Sequence, residues 1–234
     1  MYPLAAQREF SAYGLSHTIV LGVFVVGAVA VVWFGREYRD APVAWWFSRV
    51  FGALTLAVYL LIYVYLAIPP AVERSVPLRL TDLATLVAAY ALWSHRRWAY
   101  ALTYYWCLTL STQALISPAL ESPDFPHHEF LAFWAIHLAV VWAAIYLTWG
   151  LGMRPDWGSY RIAVAATVVW VAITYVFNTL ADTNYGFVNG KPTTPSLLDV
   201  LGPWPWYLAS VTALLLVVWA LMTWPWTRRE ASGG

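Results

Sequence analysis

The chain is short of charge. Only 11% of its 234 residues are Asp, Glu, Lys or Arg, against about a quarter in soluble domains, and a single lysine, Lys191, accompanies twelve arginines. That scarcity excludes an ordinary soluble domain, and a formal net charge of +1 offers no basic surface for nucleic acid. One cysteine, Cys107, falls inside an apolar run, so no internal disulfide can form and the thiol reads as core packing. No repeat with a period of roughly 20–50 residues and no low-complexity tract is evident. A cleavable signal is not expected either, because Met1 to Ser16 lacks an apolar core and carries Arg8 and Glu9.

What is present is hydrophobic: 61% of residues are apolar, 18% are aromatic, and the mean hydropathy is +0.61. Runs of roughly 20 apolar residues, the length that crosses a bilayer as a helix, fall at about 17–35, 44–68, 77–94, 97–117, 129–150, 159–182 and 204–224. The pattern predicts an all-α membrane protein, a polytopic bundle of about seven transmembrane helices forming a single integral membrane domain over residues 1–234. The third run is the shortest, and only the connection after the sixth is long.

Arginine and lysine set the expected orientation. The connections after the first, third and fifth runs, with the C-terminal tail, hold nine: Arg36, Arg39, Arg49, Arg96, Arg97, Arg154, Arg161, Arg228 and Arg229. The opposite side holds four: Arg8, Arg74, Arg79 and Lys191. With seven spans this predicts an external N-terminus and a cytoplasmic C-terminus.

Polar side chains inside apolar spans are costly and are functional candidates by default. They are His17, Thr81, Asp82, Gln113, His137, Asn178 and Asp182. Helix direction alternates, and at roughly 1.5 Å per residue all of them fall in the outer half of their spans. His137, for example, lies roughly 12 Å below Glu129. Each has a plainer reading: Thr81 bonding back to its own helix, Asp82 favoured by the helix dipole and Arg79, Gln113 and Asn178 as interhelical glue. An imidazole two turns into a span with no charge in its own helix is harder to dismiss.

The loop VNGKPTTPSLLDVLGPWPWY, Val188 to Tyr207, overlies this predicted layer. Lys191, with Thr193, Thr194 and Ser196, could hold a lipid phosphate, while Trp204, Trp206 and Tyr207 suit an interface where amphipathic rings settle. The alternative is a structural plug closing the bundle's outer end. GKPT lacks the glycine spacing of a phosphate loop, no lysine stands mid-span in the seventh run for a retinal Schiff base, and no metal or cofactor is expected. Nucleophilic chemistry remains: the Thr81 hydroxyl, with His137 as its base and neighbouring amides or carboxylates to orient them.

Four blocks, FSAYGLSH (Phe10 to His17), VPLRLTDL (Val76 to Leu83), QALISPALESPDFPHHEFLAFWAIH (Gln113 to His137) and NYGFVNGKPTTPSLLDVLGPWPWY (Asn184 to Tyr207), resemble in order and spacing the YwaF-like family of bacterial integral membrane proteins. That family is similar to the eukaryotic transmembrane protein 164 group, regarded as phospholipid acyltransferases with a cysteine nucleophile and a histidine. The resemblance implies a multi-pass protein of the bacterial inner membrane with membrane lipids as its partners. It implies catalytic roles for His137 and Thr81, with His17, Asp82, Gln113, Asn178, Asp182 and Asn184 in support and Lys191, Ser196, Trp204 and Trp206 toward substrate. Threonine at 81 departs from the usual cysteine. That departure implies either a threonine mechanism, as in the androgen-induced membrane lipid hydrolases, or lost activity. A non-enzymatic transporter or lipid-binding protein with a polar outer vestibule is the other function class.

A cytoplasm-dependent reporter fused after Gly234 should be active, and the same reporter inserted near Asn189 silent. The reverse pattern would overturn the orientation.

Overall fold

The structure is a computed structural model that describes residues 8–118, 120–192 and 197–231. Among these residues the secondary structure is helical, apart from one isolated bridge between Glu9 and Pro123. In chain order the helices are α1 (Leu15–Tyr38), α2 (Pro42–Leu66), α3 (Leu80–Ser94), α4 (Arg97–Leu102), α5 (Thr112–Ile116), α6 (His128–Ile145), α7 (Trp157–Ala181) and α8 (Trp206–Ala231). Wider π-helical turns over Thr103–Ser111 join α4 to α5, and others over Tyr146–Gly150 extend α6. Short 3-10 turns occur at Tyr185–Phe187 and Leu197–Leu201.

Each predicted span therefore corresponds to one helical rod. Five segments are long and apolar enough to cross a membrane: Leu15–Tyr38, Pro42–Tyr65, His128–Gly150, Trp157–Ala181 and Trp206–Arg228. The predicted third span shortens at its start, since Pro77 to Arg79 stay outside the helix and α3 begins at Leu80. The fourth is a mixture of α and π turns, and the last continues through Pro225 to Ala231.

Local chemistry sets several boundaries. Asp156 caps α7: its Oδ1 accepts from the backbone N–H and the hydroxyl of Ser159, both at 2.7 Å. The same helix stops at Asp182 in the left-handed conformation, whose N–H returns to the Asn178 carbonyl. His127 caps α6 by accepting the Glu129 N–H. In α3, Asp82 Oδ2 accepts from the Arg79 N–H at 3.1 Å, a side chain reaching back to an otherwise orphaned donor.

The chain divides into two compact units, one drawn from Met1–Ile62 and Ala84–Met153, the other from Tyr63–Leu83 and Arg154–Gly234. In the first, α6 is the central helix: 56% of its apolar window is buried, against 11% for α1. Its core is built from small residues, with Ala88, Ala91, Ala99, Ala101, Ala143 and Ala144 fully buried. Small side chains let helices approach closely where no hydrophobic force distinguishes neighbour from lipid. Polar side chains then reach across to backbone carbonyls, Trp142 Nε1 to Phe24 O at 3.0 Å and Tyr146 OH to Ala44 O at 3.1 Å. In the second unit Trp170 Nε1 donates to Leu78 O at 2.9 Å and Tyr185 OH to Val72 O at 2.6 Å, fastening the segment before α3 to α7 and the turn after it.

Backbones approach closely at Gly35 of α1, where an added Cβ would lie 2.5 Å from Gly150 Cα. The obstacle is backbone, which cannot swing aside. Gly35→Ala should therefore lower the melting temperature in detergent, with a cost of about 1–3 kcal/mol for the forced separation. An unchanged melting curve would show that this contact contributes nothing.

Candidate functional site

His137 belongs to the first unit, two and a half turns into α6. Its Nδ1 lies 2.7 Å from the Phe133 carbonyl oxygen, which can only accept, so Nδ1 carries the proton. Nε2 of the neutral ring is left with its lone pair. The imidazole also lies against the Phe133 ring, centroids 4.2 Å apart, and is half-buried. A histidine with one nitrogen fixed as donor to a carbonyl and the other without a partner among the described residues has the form a general base requires.

His17 shares the unit but not the form. Its Nδ1 accepts from the Tyr13 N–H at 2.9 Å, so Nε2 is protonated and donates to Leu115 O at 2.9 Å. The ring is fully buried and stacks on Trp134, three residues before His137. Both nitrogens are used, and they pin the start of α1 to the end of α5. Around them, Phe10 N donates to Ser122 O, Asp124 N to Arg8 O, and Ser16 Oγ to Asp124 Oδ2. The segment before α1 and the segment before α6 are thereby stitched together. Gln113 is exposed. Trp134, which no motif singles out, is buried with an Nε1–H that meets no acceptor among the described residues. Nothing short of a tertiary structure identifies such a donor.

Thr81 and Asp82 belong to the second unit. Thr81 is the second residue of α3 and is half-buried, and Asp82 beside it is occupied with the Arg79 N–H. Thr81 and His137 thus belong to different units.

Asn178 is 2% exposed and uses its whole hydrogen-bonding capacity. Its Oδ1 accepts from Tyr185 N at 2.8 Å and Thr183 Oγ1 at 2.9 Å. Its Nδ2 donates to Tyr185 O at 3.0 Å and Asn189 Oδ1 at 2.9 Å. Asn184 does the same on a smaller scale, donating to Gly190 O and accepting from Asn189 N. These amides fold the stretch 183–190 onto the end of α7, with Asp182 exposed as the left-handed cap. Trp204 Nε1 donates to Val188 O at 3.2 Å, and the buried Tyr207 hydroxyl donates to Phe187 O. Trp206 stands out at 70% exposure, as an interfacial anchor would.

Lys191 has its own partner. Its Nζ lies 3.9 Å from Asp199 Oδ1 and 3.5 Å from Asp199 O, and 5.8 Å from the centre of the Tyr207 ring. The ammonium therefore closes the loop on itself. Thr193, Thr194 and Ser196, the expected hydroxyl donors, lie outside the described residues.

Two substitutions separate the amide core from the ammonium. Asn178→Ala leaves the Tyr185 N–H and C=O unpaired in a buried place and should cost of the order of 3 kcal/mol. Lys191→Ala removes a partly exposed pair and should cost less than about 1 kcal/mol. Thermal melts of the two variants in one detergent should rank them in that order, and the opposite ranking would make the lysine the closing element.

No curated protein and no solved structure matches the chain. The apolar helices fit a multi-pass membrane protein. A family model matches residues 12–223, from the segment before α1 to near the end of α8, and so takes in His17, Thr81, His137, Asn178 and Lys191 alike. The chain belongs to the TMEM164 family.

Proposed function

We propose that the protein is a membrane-embedded acyltransferase or lipid hydrolase acting on phospholipid acyl groups, with Thr81 as nucleophile and His137 as base. The observation that carries this reading is the state of His137, an imidazole whose Nδ1–H is tied to Phe133 O and whose Nε2 is a lone pair. Family membership supports the coarser half, a membrane protein concerned with lipid. The nine-to-four distribution of arginine and lysine supports an external N-terminus and a cytoplasmic C-terminus, and the resemblance to bacterial integral membrane proteins supports a place in a bacterial inner membrane.

The steps follow from the two side chains. His137 Nε2 takes the proton as Thr81 Oγ attacks the acyl carbonyl carbon, and the carbonyl electrons move to oxygen. A donor must hold that oxyanion, and the buried Trp134 N–H, which has no acceptor among the described residues, is a better candidate than the fully committed Asn178. Collapse expels the lysolipid alkoxide, which regains the proton from His137 and leaves an acyl ester on Thr81. Water then gives hydrolysis, or a second lipid hydroxyl gives transfer, in each case with His137 again as the base. Threonine is a weaker nucleophile than the cysteine usual at this position, so the reaction depends on that base more strongly.

With the protein reconstituted in liposomes and a fluorophosphonate or acyl-ester probe, labelling should vanish in Thr81→Ala. It should fall by about 10²–10⁴ in His137→Ala, the usual worth of a positioned base. Thr81→Cys should keep or raise labelling. If both alanine variants label like the parent, the enzyme reading gives way to a lipid-binding protein without chemistry.

A further inference from the structure

The arginine-rich end of the first unit carries a pocket that neither His17 nor His137 lines. The turns after α1, after α3 and after α6 enclose a cavity of about 480 Å³ lined by Arg39, Asp40, Trp45, His95, Leu151 and Met153, among others. Three polar devices face or flank it, and none is used by the chemistry of Thr81 and His137.

The first is His95. It sits between α3 and α4 with φ of +51°, a left-handed conformation that non-glycine residues hold only where the surroundings enforce it. The enforcing contact is Ser48, fully buried on α2. Ser48 Oγ lies 2.6 Å from Leu92 O, which accepts the hydroxyl proton, and 2.8 Å from His95 Nε2, which must then donate. Nδ1 is left as an acceptor. Burial, and then the nearby Arg49, push the His95 pKa below its usual value, so the ring keeps this neutral form at neutral pH.

The second device is Arg39. One guanidinium N–H donates to Gly150 O at 3.1 Å, and its Nη1 lies 3.3 Å from where a Cβ on Gly152 would be. Gly152 has φ of +79°, so a side chain there would be both strained and in the guanidinium's way. Arg39 makes no ion pair among the described residues. The third is Arg49, whose guanidinium lies 3.4 Å over the ring of the cavity-lining Trp45 and 5.4 Å from that of Trp93. Among the lining residues the Arg39 guanidinium and the Asp40 carboxylate carry opposite charges, and Arg49, stacked on Trp45 at the cavity's flank, adds a further positive charge nearby.

We propose that this cavity binds a phosphate ester that carries a neighbouring hydroxyl, as in a glycerol phosphate group. Arg39 supplies fixed donors to the phosphate oxygens and Arg49 adds positive potential. His95 Nδ1 and the Asp40 carboxylate accept from the hydroxyl, which a bare phosphate lacks. The ester could be soluble or the headgroup of a phosphatidylglycerol, and both present the same atoms.

The full chain in phosphatidylcholine nanodiscs, titrated calorimetrically with sn-glycerol 3-phosphate and examined by native mass spectrometry for retained phosphatidylglycerol, separates these sources. Binding of the soluble ester alone, or retention of the lipid alone, supports the site and names its source. In either case Arg39→Gln should weaken binding about tenfold, as expected for one charge-assisted hydrogen bond. His95→Asn, which tolerates the left-handed backbone, should weaken the glycerol ester while leaving inorganic phosphate unchanged. Absence of binding by the parent protein to both ligands overturns the proposal. So does parental affinity in both variants. These measurements do not involve Thr81, so their failure leaves the acyl-transfer reading standing, and the reverse holds.

Discussion

A polar group buried in hydrocarbon has only the chain itself to partner it, because the surroundings supply none. This constraint organises both units. In the first it draws the indole of Trp142 to Phe24 O, the phenol of Tyr146 to Ala44 O and both nitrogens of His17 to backbone groups. In the second it turns Asn178 into the centre of a folded loop, four bonds from one amide, and brings Tyr185 to Val72. Polar residues that look like an active-site inventory along the sequence are in large part the means of closing the backbone at helix ends. The groups that stay open gain significance by contrast.

The spans were readable from the sequence because their signal is a sum over many residues. Runs near 17–35, 44–68, 129–150 and 159–182 meet helices within a few positions. Where one or two residues decide, hydropathy is blind. Pro77 to Arg79 are held outside α3 and Asp82 caps its first turn, so the helix starts three residues later than the apolar run. The π turns at Thr103–Ser111 and Tyr146–Gly150 change hydrogen-bond register without changing composition. Pro225 sits inside α8, where a helix end would be expected from its sequence.

The candidate site was legible as a set of residues and not as a set of relations. His137 and Asn178 both appear as lone polar groups in apolar runs, and only the structure separates an open imidazole from an amide with no capacity left. Lys191 reads as a free ammonium until Asp199, eight residues on, is placed beside it. His95 drew no attention because its signal is its bond to Ser48, 47 residues away in sequence. Trp134 is the same case: an aromatic in a membrane helix is ordinary until its N–H is found without an acceptor among the described residues.

Three histidines of one unit show how the same ring is assigned different work by its second nitrogen. In His17 a backbone N–H and a backbone carbonyl take both nitrogens, and the ring can only hold two segments together. In His137 a carbonyl fixes the proton on Nδ1 and leaves Nε2 basic, the arrangement that suits proton abstraction. In His95 a serine already committed to a carbonyl fixes the proton on Nε2 and leaves Nδ1 as an acceptor at a cavity that Arg39 also lines, which suits recognition. Neither burial nor position in a span distinguishes these cases. The deciding variable is whether the partner can donate or only accept, and that is fixed by the backbone the helices bring alongside.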